Sequence, residues 1–242
     1  MNKLKAPIVI SAVLLLGSLS ACSADTATSA VAGSSKPSQS VPQSSNNAYA
    51  NIPADQIQMA GTDVDFIWEP KDPLYGFNKY PIVARVHVES IDGGRTFSPI
   101  ANQYVFPQTV GKMTIREVYK GELKPGVQVN YSRVGGTVAY DEYWKSLNEA
   151  QQKKILRLNG GTKPTDAKFI KAKITDDVDV EPGKEYVALL LPQTGKDGAL
   201  SEYSVQGYQY GLREVKGTGA ETTILNNETH EWERFDSFPR LP

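Results

Sequence analysis

From about residue 60 the chain is written in short runs of β-forming residues separated by Gly, Pro, Asn and Asp, which limits it to a small β body. Ile82-Val83-Ala84-Arg85-Val86-His87-Val88-Glu89 alternates, with Ile82, Ala84, Val86 and Val88 on one face and Arg85, His87 and Glu89 on the other. Alternation of period two predicts a half-buried strand. Met113-Thr114-Ile115-Arg116-Glu117-Val118-Tyr119 keeps that period through Ile115 and then slips by one. A β-bulge near Arg116 and Glu117 accounts for the slip, as where a strand bends to close a barrel. After the turn-rich Lys120 to Gly126, Val127, Val129 and Tyr131 line one face of a third strand. Tyr186-Val187-Ala188-Leu189-Leu190-Leu191 is continuously apolar and is expected to be the most buried strand. Weaker strands follow around Tyr203 to Val205 and Leu212 to Val215, joined by a turn region from Gly207 to Gly211.

Between the third strand and the buried one, Tyr140, Tyr143, Trp144 and Leu147 fall at helical spacing. Asn148 stands three residues before Gln151, the spacing of a capping box, and predicts a second short helix to about Leu156. The expected fold is mainly β: a small, mostly antiparallel OB-like barrel with a short helical insertion at about residues 138–157, preceded by a signal peptide and a disordered linker.

The N-terminus sets the address. Lys3 and Lys5 precede an uncharged stretch, Ala6 to Leu19, too short for a comfortable span of about 20 residues and typical of a secretory signal. It ends in Leu19-Ser20-Ala21-Cys22, which resembles the lipobox of bacterial lipoproteins. The resemblance implies cleavage before Cys22 and diacylglycerol on the only cysteine of the chain, with palmitate-type acyl chains and a location on the extracytoplasmic face of the cell membrane. Two acyl chains meet the requirement for stable anchoring, at about 0.8 kcal/mol per buried methylene. The alternative, a secretory peptide cleaved after an Ala-x-Ala-like site, leaves a lone thiol on an exported chain unexplained. Residues 22–50 then form the lipidated cysteine and a tether rich in serine, with only Asp25 and Lys36 charged. Such a composition buries too little apolar surface to offset backbone ordering, and as a coil it reaches about 30 Å. Residues 1–21 are thus the signal peptide, and residues 51–242 the body.

The order Ile82 to Glu89, Thr114-Ile115-Arg116-Glu117-Val118-Tyr119-Lys120-Gly121, Pro125-Gly126-Val127-Gln128-Val129 and Pro182-Gly183-Lys184-Glu185-Tyr186-Val187, with the insertion Tyr140 to Leu147, resembles bacterial lipoproteins with a netrin-like or metalloproteinase-inhibitor-like OB barrel. The likeness covers roughly residues 80 to 215 and is one of fold, not of a site. Inhibitors of that fold bind zinc through a free N-terminal cysteine in a disulfide-stapled domain, a mechanism closed to a chain whose one cysteine is expected to be acylated and lies a linker away.

With 26 basic against 27 acidic residues, the chain lacks the cationic excess that nucleic-acid binding uses. One cysteine and two histidines leave no disulfide framework and no cysteine-based zinc site, and neither a metal nor a cofactor is expected. His87 lies on the polar face of a strand and His230 in a polar segment near the end, neither beside a nucleophile-elbow motif, so no catalytic residue is assigned. The acidic run Asp176 to Glu181 does not fit a calcium loop, because Gly183 comes one place late and the twelfth position from Asp177 is Ala188; it reads as a solvated lead-in to the buried strand. Asn227-Glu228-Thr229 matches a glycosylation acceptor, incidental in a bacterial lipoprotein.

Aromatic residues are the remaining signal. Phe66, Trp68, Tyr75, Phe77 and Tyr80 crowd the segment before the first strand, and Tyr203, Tyr208 and Tyr210 crowd a late hairpin. Trp68, Tyr75, Phe77, Tyr208 and Tyr210 are the candidates for ligand contact. The simpler reading of the early group is a plug for the open barrel end. These features favour a non-enzymatic module that binds an envelope protein or a cell-wall ligand. The alternatives are an enzyme with an acid/base site not marked by a motif, or an inhibitor of an extracellular protease.

Overall fold

The structure, a computed structural model, describes residues 47–64, 73–164 and 166–235, with side chains from residue 76 onward in the second stretch. The chain runs through β1 (Ile57–Thr62), α1 (Pro73–Lys79), β2 (Ile82–Ser98), β3 (Gln103–Lys120), β4 (Gln128–Val134) and β5 (Gly136–Ala139). The helical insertion follows as α2 (Tyr140–Ser146) and α3 (Glu149–Leu158). Then come β6 (Phe169–Ile174), β7 (Glu185–Thr194), β8 (Leu200–Gln206), α4 (Tyr208–Gly211), β9 (Leu212–Lys216), β10 (Thr223–Leu225) and β11 (Trp232–Arg234).

The fold is mainly β and closes on itself. β7, β2, β3 and β4 are antiparallel neighbours, β8 pairs parallel to β4, and β8 returns antiparallel to β7. Five strands therefore form an OB-like barrel whose single parallel seam, β4–β8, is the exception to the antiparallel pattern. β9 continues along β7 where β8 leaves it, and β10 and β11 extend the sheet outward. A separate sheet in the order β1-β6-β5 lies outside this ladder, with β1 parallel to β6.

Both faces of β7 are covered, which is why its sequence does not alternate. Tyr186, Ala188 and Leu190 point into the barrel with Ile82, Ala84, Val86 and Val88 of β2. Val187 and Leu189 point outward with Val83, against Phe77 and Tyr80 at the α1 end and Val215 and Ile224 of β9 and β10. A third cluster, Val138, Tyr140, Ile170 and Ala172, fastens the small sheet to the start of α2.

The bulge expected at Arg116 is present. Arg85 faces Glu117 and Val86 faces Ile115, which leaves Arg116 unpaired in the ladder, and Tyr119 is skipped in the same way. The expected capping box is also present, with Asn148 Oδ1 accepting from Gln151 N and Gln151 Oε1 accepting from Asn148 N, each at 2.9 Å. Three readings need adjustment. Val127 lies outside β4 and is exposed, so only Val129 and Tyr131 reach the core. The stretch at 138–139 belongs to β5, and the helices begin at Tyr140. Residues 47–50, read as the end of the tether, already belong to the body, because Asn47 bridges Ile91 and Ala48 N donates to Ile91 O at 2.9 Å.

Candidate functional site

The inward row of β4 runs Val129, Tyr131, Arg133, and its last member brings a cation into the core. The Arg133 side chain is only 4% exposed and needs a buried counter-charge. Asp177, equally buried, supplies it: Arg133 Nη2 donates to Asp177 Oδ1 and to Val178 O at 3.2 Å, and Val178 N donates to the same Asp177 oxygen at 2.8 Å. Among the described residues the buried Arg133 Nη1 has no hydrogen-bond partner. Burial pushes the Asp177 carboxyl above its usual value, and the charge of Arg133 and the Val178 N–H pull it back without cancelling the effect. Burial likewise lowers the Arg133 pKa, yet a guanidinium stays charged throughout the working range.

This pair anchors the connection from β6 to β7: Asp176, Asp179 and Glu181 are exposed, as a solvated lead-in requires, and Asp177 is the exception. Asp177 is buried in its ion pair, Val180 is buried in the barrel core, and Asp179 is held by Lys171 Nζ at 2.6 Å. The pinned connection forms one wall of a groove of about 710 Å³, whose other walls are α4, β9 and the turn from Asn226 to Glu231. Six carboxylates line it (Asp176, Asp177, Asp179, Glu181, Glu214 and Glu228) against two lysines, Lys173 and Lys184. Lys184 Nζ bridges Glu181 at 2.8 Å and Glu214 at 3.0 Å, and these hydrogen bonds, Glu181's first, raise its pKa. Tyr186 OH accepts from Glu181 N at 3.1 Å, and burial pushes the phenol up to about 12. A smaller cavity of about 90 Å³ adjoins the same ion pair between Arg133, Tyr80 and Tyr208.

The corner at α4 depends on two glycines. Gly207 holds φ 84°, a left-handed conformation that a side chain disfavours, and a Cβ on Gly211 would lie 1.6 Å from Gln206 O. Asn227 Nδ2 donates to Gln209 O at 2.6 Å and Leu212 O at 2.9 Å, which fixes the turn from Asn226 to Glu231 against that corner.

The structure brings Tyr210 to the groove and Tyr208 to the smaller cavity, each half-buried. Phe77 is 1% exposed and offers no ring to a ligand; with Tyr80 it covers the outward face of β2 and β7 instead of plugging the open barrel end. Tyr203 likewise faces the barrel interior. Cys22, Leu19, Ser20, Ala21, Phe66 and Trp68 lie outside the described residues, as does the Tyr75 side chain. His87 Nε2 approaches Glu89 at 4.0 Å, and His230, exposed, lines the groove. Among the described residues no group of three or more His, Cys, Asp or Glu is placed to hold a metal, and no helix is long and apolar enough to cross a membrane. Arg133, Lys184 and Glu214 were not foreseen; the signal for Arg133 was a charged residue continuing the inward row Val129, Tyr131.

Compared with known protein families, curated proteins and solved structures, the chain matches none.

Proposed function

We propose that this chain is an extracytoplasmic lipoprotein, acylated at Cys22 and held on the cell membrane, whose OB-like body is a non-enzymatic module that binds an envelope protein or cell-wall ligand. The observation that carries the address is Leu19-Ser20-Ala21-Cys22, closing an uncharged stretch with the only cysteine of the chain. Support for binding comes from the groove. Four of its six carboxylates are held in ion pairs: Glu181 and Glu214 by Lys184, Asp179 by Lys171, and Asp177 by Arg133. Ion pairs of this kind fix positions and suit recognition; a general acid or base needs a group free to exchange a proton near neutral pH. The surplus of carboxylates favours a partner that presents amines or basic side chains.

Metabolic labelling with a fatty acid tests the address. The chain takes up label and Cys22→Ala abolishes it; label that survives the substitution would remove the proposal. Crosslinking on intact cells from an engineered cysteine at Glu228, which lines the groove, is expected to capture a partner that the same cysteine at Glu122, outside the groove lining, does not.

A further inference from the structure

The β2–β3 hairpin ends in an uncharged aromatic tip. From Thr96 to Gly111 sixteen consecutive residues carry no charge, in a chain that is 22% charged. Phe97 and Tyr104 face each other across the hairpin with ring centroids 5.6 Å apart, and Phe106 follows on β3. These rings are 43%, 52% and 37% exposed, where the other large apolar side chains of β2 and β3 are mostly in the core. The turn between them, Pro99 to Asn102, adds Ile100 and Ala101 and again no charge.

The tip is rigidly presented. Arg95 at its base makes a two-pronged contact with Glu202, Nη1 to Oε2 at 2.9 Å and Nη2 to Oε1 at 2.5 Å, and its Nε donates to Gln108 at 2.9 Å. Thr96 Oγ1 donates to Glu142 O of α2 at 3.2 Å. Exposed aromatic rings on a braced, uncharged projection form an unusual surface for contact with water alone. Such rings partition to the interface between headgroups and acyl chains.

The place where the N-terminal segment joins the body says what covers the tip. Asn47 bridges Ile91 of β2, the strand that carries Phe97 six residues further on. An anchor at Cys22 thus enters the body through the tip hairpin itself, and the 24 intervening residues keep that hairpin within about 85 Å of the lipid even at full extension. We infer that Phe97, Tyr104 and Phe106 dock the body onto the bilayer, as a second and reversible contact beside the acyl anchor. This rests on the acylation of Cys22 proposed above. The contact is apolar and independent of lipid charge, since the tip carries none.

The test uses the mature acylated chain recovered from cells and reconstituted in phosphatidylcholine vesicles, with Ala101→Cys labelled by an environment-sensitive fluorophore. The label is expected to shift to the blue on reconstitution and to be quenched by nitroxide-bearing lipids. Phe97→Ser, Tyr104→Ser and Phe106→Ser together should abolish both effects while keeping the folded circular dichroism spectrum and a cooperative thermal transition, at a Tm lowered by loss of the cross-strand ring pair. A chain that mass spectrometry shows to be acylated, yet whose tip label stays in water, overturns the docking and leaves the anchor intact. A chain recovered without an acyl group overturns the anchor reading first and this inference with it. A blue shift that grows with protein concentration in the absence of vesicles would assign the tip to a second copy of the chain and also overturn it.

Discussion

Removing the cation at the site turns the reading of Arg133 and Asp177 into a measurement. Arg133→Met keeps the apolar stem and leaves the carboxylate buried, where Val178 N still donates to it at 2.8 Å. Breaking a buried pair at one member destabilises by about 3–5 kcal/mol. Loss of the unpartnered Nη1 returns about 1–3 kcal/mol, the penalty of an unsatisfied buried donor. The net loss is about 2 kcal/mol, which for a body of this size lowers Tm by about 4–8 °C. The deficit depends on pH in a stated direction. Without Arg133 burial raises the Asp177 pKa further, so the folded state holds its proton to a higher pH than the unfolded chain. Stability is then retained at low pH and lost as pH rises through the folded-state pKa, and the gap from wild type narrows on acidification. The double variant Arg133→Met, Asp177→Leu removes both charges and should unfold within about 1 kcal/mol of wild type or above it. Thermal unfolding of the four proteins between pH 5 and 7, assembled as a double-mutant cycle, reads all of this. A single variant as stable as wild type, or a double variant whose loss equals the sum of the two singles, would refute the pairing.

Other expectations follow from the same geometry. Gly211→Ala places a methyl against Gln206 O and should cost about 2–3 kcal/mol by chemical denaturation, with disturbance centred on α4; an unchanged midpoint would show that the corner yields freely. Asn148→Ala removes the capping box of α3 at a cost of about 1 kcal/mol, or about 2–4 °C in Tm. Because burial raises the Tyr186 phenol to about 12, the folded form resists ionisation, so its contribution persists below the unfolded-state value of 10.0 and is lost as pH rises toward 12. In alkaline titrations the difference in phenolate absorbance between wild type and Tyr186→Phe should stay flat through pH 10; a rise there would mean that the ring is not buried.

Where one face of a strand met solvent, the sequence announced it. Ile82 to Glu89 alternates because its outer polar residues are satisfied at the surface, Arg85 by Glu185 at 2.6 Å and Glu89 by Thr114 at 2.6 Å. The contiguous run in β7 marks burial on both faces, although nothing local says that α1 and β10 cover the second one. β6 escaped notice although Ile170, Ala172 and Ile174 alternate cleanly with Lys171 and Lys173, since its partners β1 and β5 are short and distant in sequence. The parallel seam between β4 and β8 is equally non-local. At the site, the acidic run was visible and its environment was not. Composition reads Asp177 as solvated, and only the facing Arg133, 44 residues earlier, explains its burial. A lone charge on an inward row asks for a distant counter-charge without naming it.

β2 also sets the height of the groove above any surface that receives the tip. Val88 of β2 accepts from Gly183 N at 2.8 Å and donates to Lys184 O at 2.9 Å, so the groove wall is attached there, three residues before the Ile91 junction and nine before Phe97. At about 3.3 Å per residue those nine residues span at most about 30 Å, and less where the ladder shifts between Val88 and Ser90, Ile91 and Gly93, and Arg95 and Phe97. A body docked by its hairpin tip with β2 upright would hold the groove up to about 30 Å clear of the headgroups, open to a partner. The same fluorophore on Pro182→Cys, in acylated protein on the same vesicles, should remain quenchable by a water-soluble nitroxide and untouched by the lipid-borne one, opposite to the label at Ala101. Equal quenching of both labels by the lipid-borne nitroxide would mean that β2 lies flat along the bilayer. The carboxylates at Glu181 and Glu214 would then face headgroups instead of a ligand, and the groove would lose its role in recognition.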